Sequence, residues 1–138
     1  MSKFVVNRAE GASLYIEEPG NYNVAISIKE FTLTPNGDVC AVLRLTADDG
    51  RAITDRIINK SSVFWRIQQL IAAAQLPIED GVEFDFSKSD NFRSFMAAFE
   101  GRGCAIAVVR ETYQSNGEQK SGLKVRRYFA EIETETAF

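Results

Sequence analysis

Tyr22-Asn-Val-Ala-Ile-Ser-Ile-Lys-Glu-Phe31, then Thr34-Pro-Asn-Gly37, then Val39-Cys-Ala-Val-Leu-Arg-Leu45 is the stretch that decides the fold. Tyr22, Val24, Ile26 and Ile28 alternate with Asn23, Ala25, Ser27 and Lys29, which is the period of a strand with one buried face. Asn-Gly supplies the positive φ angles of a tight hairpin turn. The returning strand carries Val39, Ala41, Leu43 and Leu45 inward and Cys40, Val42, Arg44 and Thr46 outward. Asp48-Asp-Gly50 marks a second turn, and residues 51–59 read as a third strand whose facing is left open because Ile57-Ile58 breaks the alternation.

Outward from this meander, Ser61-Ser62 offers an N-cap to a helix in which Val63, Phe64, Ile67, Leu70, Ile71 and Ala74 form one apolar stripe, stopped at Leu76-Pro77. Ser89-Asp90 is read as the cap of a shorter helix through Phe92, Phe95, Met96 and Phe99, closed by Gly101, its Met and Phe stripe belonging to the core. Residues 103–113 read as a fourth strand, 114–122 as a long polar loop and 123–132 as a fifth strand. The order is three strands, helix, two strands. This predicts a mainly β fold, a five-stranded OB-type Greek-key barrel with a helical insertion between strands 3 and 4. Residues 1–19 form an N-terminal arm, 20–132 the barrel domain and 133–138 an acidic C-terminal tip.

A chain of 138 residues supports one core. Its net charge of −3 is carried by Glu131, Glu133 and Glu135, so residues 1–130 are neutral. Inside that neutral body six bases face two acids between Arg102 and Arg127, and six acids face two bases between Glu79 and Glu100. A local field of this kind, rather than net charge, steers a phosphate chain. Cys40 and Cys104 lack metal or redox spacing and are expected as reduced, half-buried thiols. Asn7 and Arg8 interrupt the only apolar N-terminal run, and no run approaches the length of a membrane span. A soluble cytoplasmic protein is expected.

With no His in the chain, triads, His metal sites and most proton shuttles are absent. Neither a complete dinucleotide fingerprint nor a P-loop is present, since Gly101-Arg-Gly103 stands alone. Glu83, Asp85 and Glu118-Gln-Lys120 invite a metal-nuclease reading, but the triplet sits in a polar turn. No catalysis and no cofactor are expected.

Binding residues are more legible. On the fifth strand Lys124, Arg126 and Tyr128 alternate with Leu123, Val125 and Phe129, which predicts two cations and an aromatic on one exposed face. Single-stranded nucleic acid needs that mixture, cations for phosphates and flat rings on which bases stack. Tyr113 and Lys120 lie at the ends of the fourth-to-fifth connection, one of the two loops with which OB folds clasp oligonucleotides, although Tyr113 also suits a core position. Lys29, Phe31 and Arg44 would form the other wall of the groove, with Phe31 alternatively turned inward by a bulge. Arg51 and Arg56 are phosphate contacts whose facing stays open. Trp65 projects opposite its helix's apolar stripe, toward a partner or under the N-terminal arm.

Glu18-Pro-Gly-Asn-Tyr-Asn-Val-Ala-Ile26, Asp55-Arg-Ile-Ile-Asn59, the helix through Phe64 to Leu76 and the final strand together resemble a family of small phage-encoded single-stranded-DNA-binding proteins. The tip Glu133-Thr-Glu-Thr-Ala-Phe138 is similar to the acidic tips of bacterial and phage single-stranded-DNA-binding proteins, with Glu and Thr in place of Asp and Ala137 where Pro is frequent. The resemblance implies replication or recombination proteins as partners for Glu133, Glu135 and Phe138, and action in the host-cell cytoplasm. A single modest groove leads us to expect self-association on the strand. The alternative is an OB-type protein-interaction module that grips an acidic protein with the same basic face.

Overall fold

The structure is a computed structural model that describes residue 4 and residues 14–133. Strands β1 (Gly20–Leu33), β2 (Val39–Ala47) and β3 (Ala52–Ile58) form the meander, followed by a 3₁₀ turn (Ser61–Val63), helix α1 (Phe64–Ala73) and helix α2 (Ser89–Ala97). Strands β4 (Gly103–Ser115) and β5 (Glu118–Phe129) close the chain's regular structure. All pairings are antiparallel, in the order β3-β2-β1-β4-β5. Both helices are inserted between β3 and β4, as the sequence predicts.

The turns follow from local chemistry. Gly37 adopts φ of 87°, its N–H donating to the Thr34 carbonyl while the Thr34 N–H donates to the Asp38 carbonyl. At the far end of the sheet Asn116 and Gly117 both take positive φ, 54° and 79°, the two-residue geometry that matches the twist of a hairpin. This turn shortens the connection expected over 114–122. Most of that segment is strand, and β4 and β5 run on past the start of β1, whose Gly20 pairs with Val108, as a free two-stranded ribbon.

The core lies between the inner face of the sheet and the helices. Ile26, Leu43, Leu45, Ile57, Leu70, Phe92, Met96, Phe99 and Ile106 are fully buried, and burying an aliphatic or aromatic side chain of this size contributes about 1.5–3 kcal/mol. Phe86 ties the loop after α1 to this core through edge-on contacts with Phe64, Phe92 and Phe95 at 5.2–5.6 Å between ring centroids. The facing left open for β3 is settled by register: Ile53, Asp55 and Ile57 pair with Leu45, Leu43 and Ala41 on the inner face, and Arg56 points outward opposite Val42.

Two helix starts differ from expectation. Ser61 and Ser62 form the 3₁₀ turn and give α1 no side-chain cap, while Lys88 rather than Ser89 or Asp90 occupies the position before α2. Both cysteines are free, and both are fully rather than half buried. Of the N-terminal arm, Leu14 to Ile16 lie along the open edge of β3, with the Ile16 N–H donating to the Ala52 carbonyl at 2.9 Å and the Ala52 N–H to the Leu14 carbonyl at 2.8 Å. Ile16 enters the core. Trp65 is largely exposed, and most of the N-terminal arm, offered beside a partner as its cover, lies outside the described residues. Among the described residues no helix is long and apolar enough to cross a membrane.

Candidate nucleic-acid interface

Two β-bulges decide which side chains reach the outer face. In β1 the register slips between Ile28 and Glu30, so Lys29 is the extra residue. Ile28 opposes Leu43 and Phe31 opposes Ala41, both on the inner side. Phe31 is therefore packed against the core instead of lining an outer wall, the bulge alternative having won, while Lys29 stays exposed.

In β5 the slip falls between the partners of Ala107 and Val108. Val125 opposes Val108 and Arg127 opposes Ala107, which leaves Arg126 as the inserted residue. One extra residue resets the alternation. Tyr128 consequently returns to the inner face opposite Ile106 and is only 2% exposed. The expectation that it would share an exposed face with Lys124 and Arg126 fails for this reason.

Tyr128 has a structural environment instead. Its hydroxyl donates to the Asp55 carboxylate of β3, its backbone N–H donates to Gln69 Oε1 at 2.7 Å, and Arg66 of α1 lies over its ring at 5.8 Å. Arg66 Nη2 pairs with Asp55 Oδ2 at 2.5 Å, and its Nη1 donates to the Arg56 carbonyl at 3.0 Å. Burial first, then the Asp55 charge and its hydrogen bond, push the Tyr128 hydroxyl well above the ordinary phenol range. This cluster joins β3 and β5, the two edges of the sheet.

The outer face of the β4–β5 ribbon holds the basic and aromatic mixture. By register Val109, Glu111 and Tyr113 share that face with Lys120, Gly122 and Lys124. Tyr113 is 48% exposed and its ring lies across Gly122, 3.6 Å from where a Cβ would stand. Lys124 Nζ pairs with Glu111 Oε2 at 2.8 Å. Farther along, Arg127 stacks over Phe129 at 4.8 Å from the ring centroid, opposite the small side chains Ala107 and Ala105. Lys120, Arg126 and Arg127 are exposed. Arg127 and Phe129 were assigned no binding role from sequence. Only the doubled Arg126-Arg127 hinted that strict alternation would break there.

A second tract runs across β2 and β3. Arg44 and Arg56 are exposed on the outer face, with Ser27 and Thr54 beside Arg44. It is less cationic than the ribbon, because Glu30 lies beside Lys29 and the Glu100 carboxylate accepts from Ser27 Oγ at 3.1 Å and from the Ile28 N–H at 2.5 Å.

Beyond β5 the chain turns back over β4 and β1. A Cβ on Gly103 would stand 2.0 Å from Glu131 Oε1, so this glycine is what lets the carboxylate lie on the sheet. Asn23 then clasps the next residue with both ends of its amide: Nδ2 donates to the Ile132 carbonyl at 2.8 Å, and the Ile132 N–H donates to Oδ1 at 2.7 Å. Glu133 follows, exposed. Glu135 and Phe138 lie outside the described residues. Beneath this segment the Cys104 thiol is pushed up to about 12, by burial first and then by the Glu131 charge, and burial likewise raises Cys40.

No family model matches this sequence, and no curated protein matches it either.

Proposed function

We propose that the protein binds single-stranded DNA without sequence preference, as a phage replication or recombination factor. The observation that carries this reading is the ribbon face, where Arg127 over Phe129 stands in one row with Lys124, Lys120 and Tyr113. Cations at this spacing follow a phosphate chain, and rings and guanidinium planes stack bases of any identity. The Ala105 and Ala107 floor lets a strand approach the sheet closely.

We read the sheet as an OB-type Greek-key barrel. Its strand order leaves β3 and β5 as the two edges, and the Tyr128, Asp55 and Arg66 cluster, which links those edges through side chains, supports closure there. In such a barrel the β4–β5 connection flanks the oligonucleotide groove. Arg44, Arg56 and Lys29 extend the path across β1 to β3. The acidic tip recruits partner proteins or competes with DNA for the basic face, from a starting point fixed by Asn23. The chain has no catalytic role in this reading.

The test is fluorescence anisotropy of a labelled mixed-sequence single strand of about 30 nucleotides, long enough for two or more footprints, at low and moderate salt with duplex competitor. Salt-sensitive binding that duplex does not displace supports the reading. Absence of binding at low salt overturns it and favours a module that grips an acidic protein with the same face.

A further inference from the structure

The acidic half of the molecule holds a solvent-open pocket of about 230 Å³, lined by both apolar and polar residues, between α1, α2 and the loop that joins them. Phe64, Ile71, Ile78 and Phe86 line it, and Val82 and Phe84 stand at its mouth, 53% and 48% exposed. A benzene ring fits in about 150 Å³, so this pocket has the room for an aromatic side chain against its apolar side. Glu79 and Asp80 form the rim, with Glu83 following in the same loop. Among the described residues none of these three carboxylates has a cation within 4 Å.

Apolar walls under an uncompensated acidic rim select an aromatic residue flanked by cations. The rim repels the C-terminal tip, whose Phe138 comes with Glu133 and Glu135. The segment Lys3-Phe-Val-Val-Asn-Arg8 is complementary to the rim, with no acid before Glu10. Phe4 is 91% exposed and so is not seated in its own chain's cavity.

We propose that the segment Lys3 to Arg8 of one copy docks into this groove of a second copy, Phe4 filling the cavity and Lys3 and Arg8 facing Glu79, Asp80 and Glu83. Arm and groove are different surfaces, so the contact either closes when two copies exchange arms or runs on into open chains. It needs no nucleic acid, and its failure leaves the DNA reading untouched.

Sedimentation velocity of the full chain without DNA tests it. Wild-type mass should rise with protein concentration and fall with salt. The arm variant F4D and the groove variant D80K/E83K alter only exposed positions, and each alone should stay monomeric. An equimolar mixture of the two should form pairs, because one supplies an intact groove and the other an intact arm. A wild type that is monomeric at every concentration, association that neither variant reduces, or a mixture that stays monomeric would each overturn the proposal.

Discussion

The hydroxyl of Tyr128 on β5 donates a hydrogen bond to the Asp55 carboxylate on β3, and Arg66 of α1 pairs with the same carboxylate. One acidic group thereby holds both sheet edges and the inserted helix. Removing the hydroxyl in Tyr128→Phe keeps the ring but takes a donor from a mostly buried charge, at about 1.5–3 kcal/mol. The urea midpoint should drop accordingly, while affinity for single-stranded DNA under native conditions stays at the wild-type value. A large affinity loss with unchanged stability would return Tyr128 to the binding face.

The residues that misled the strand reading share one cause. Alternation locates β1, β2 and the start of β3, and helical periodicity locates α1, because apolar burial imposes those periods on the sequence. A bulge inserts a residue without changing composition, so Lys29 and Arg126 look like ordinary strand residues, and every side chain beyond them is assigned to the wrong face. Phe31, Tyr128 and Phe129 all lie just past such a slip. The Asn116-Gly117 turn was visible, yet residues 114–122 read as loop because a ribbon exposed on both faces needs no apolar alternation. Nor could spacing reveal that Asp55, between Thr54 and Arg56, turns inward to meet a residue 73 positions away.

On the ribbon, Phe129→Ala should weaken single-strand binding by about 1–3 kcal/mol, the usual worth of one stacked base, with little change in the salt dependence. Arg127→Gln and Lys120→Gln should act differently, each lowering the slope of log affinity against log salt by about 0.7. Lys124 is partly neutralised by Glu111 at 2.8 Å, so Lys124→Gln should reduce the slope less than Lys120→Gln. Anisotropy titrations over a salt series separate these effects, and equal slopes for all variants would remove the ribbon from the interface.

Stability should decline on the alkaline side. An ordinary thiol ionises near 9.0, whereas Cys104 holds its proton to about 12 in the fold, and Tyr128 is also raised above its ordinary 10.0. Between those values the unfolded chain has lost a proton that the native chain keeps. Stability is thus fully present below the unfolded value and falls as pH rises toward the folded one, by about 1.4 kcal/mol per pH unit for each such group. Urea midpoints from about pH 8 to about pH 10.5 should therefore decrease, and Cys104→Ala should flatten the first part of that fall. Native protein at pH 8 should leave both thiols unreactive toward a disulfide reagent until urea unfolds it. A midpoint that rises with pH would contradict the buried, protonated state of these groups.

Asn23 bears on whether the acidic tip acts on the DNA face. Its amide fixes Ile132 at two points, so Glu133 departs from one place over β1. If the tip competes with DNA, deleting residues 133–138 should raise affinity at low salt and have no effect where salt already screens the carboxylates. Asn23→Ala should place affinity between those of wild type and the deletion, because releasing the tether dilutes the tip around the basic face without removing its charge. Affinity unchanged by the deletion at every salt concentration would leave the tip with partner recruitment alone, and Asn23→Ala would then register only as a small loss of stability.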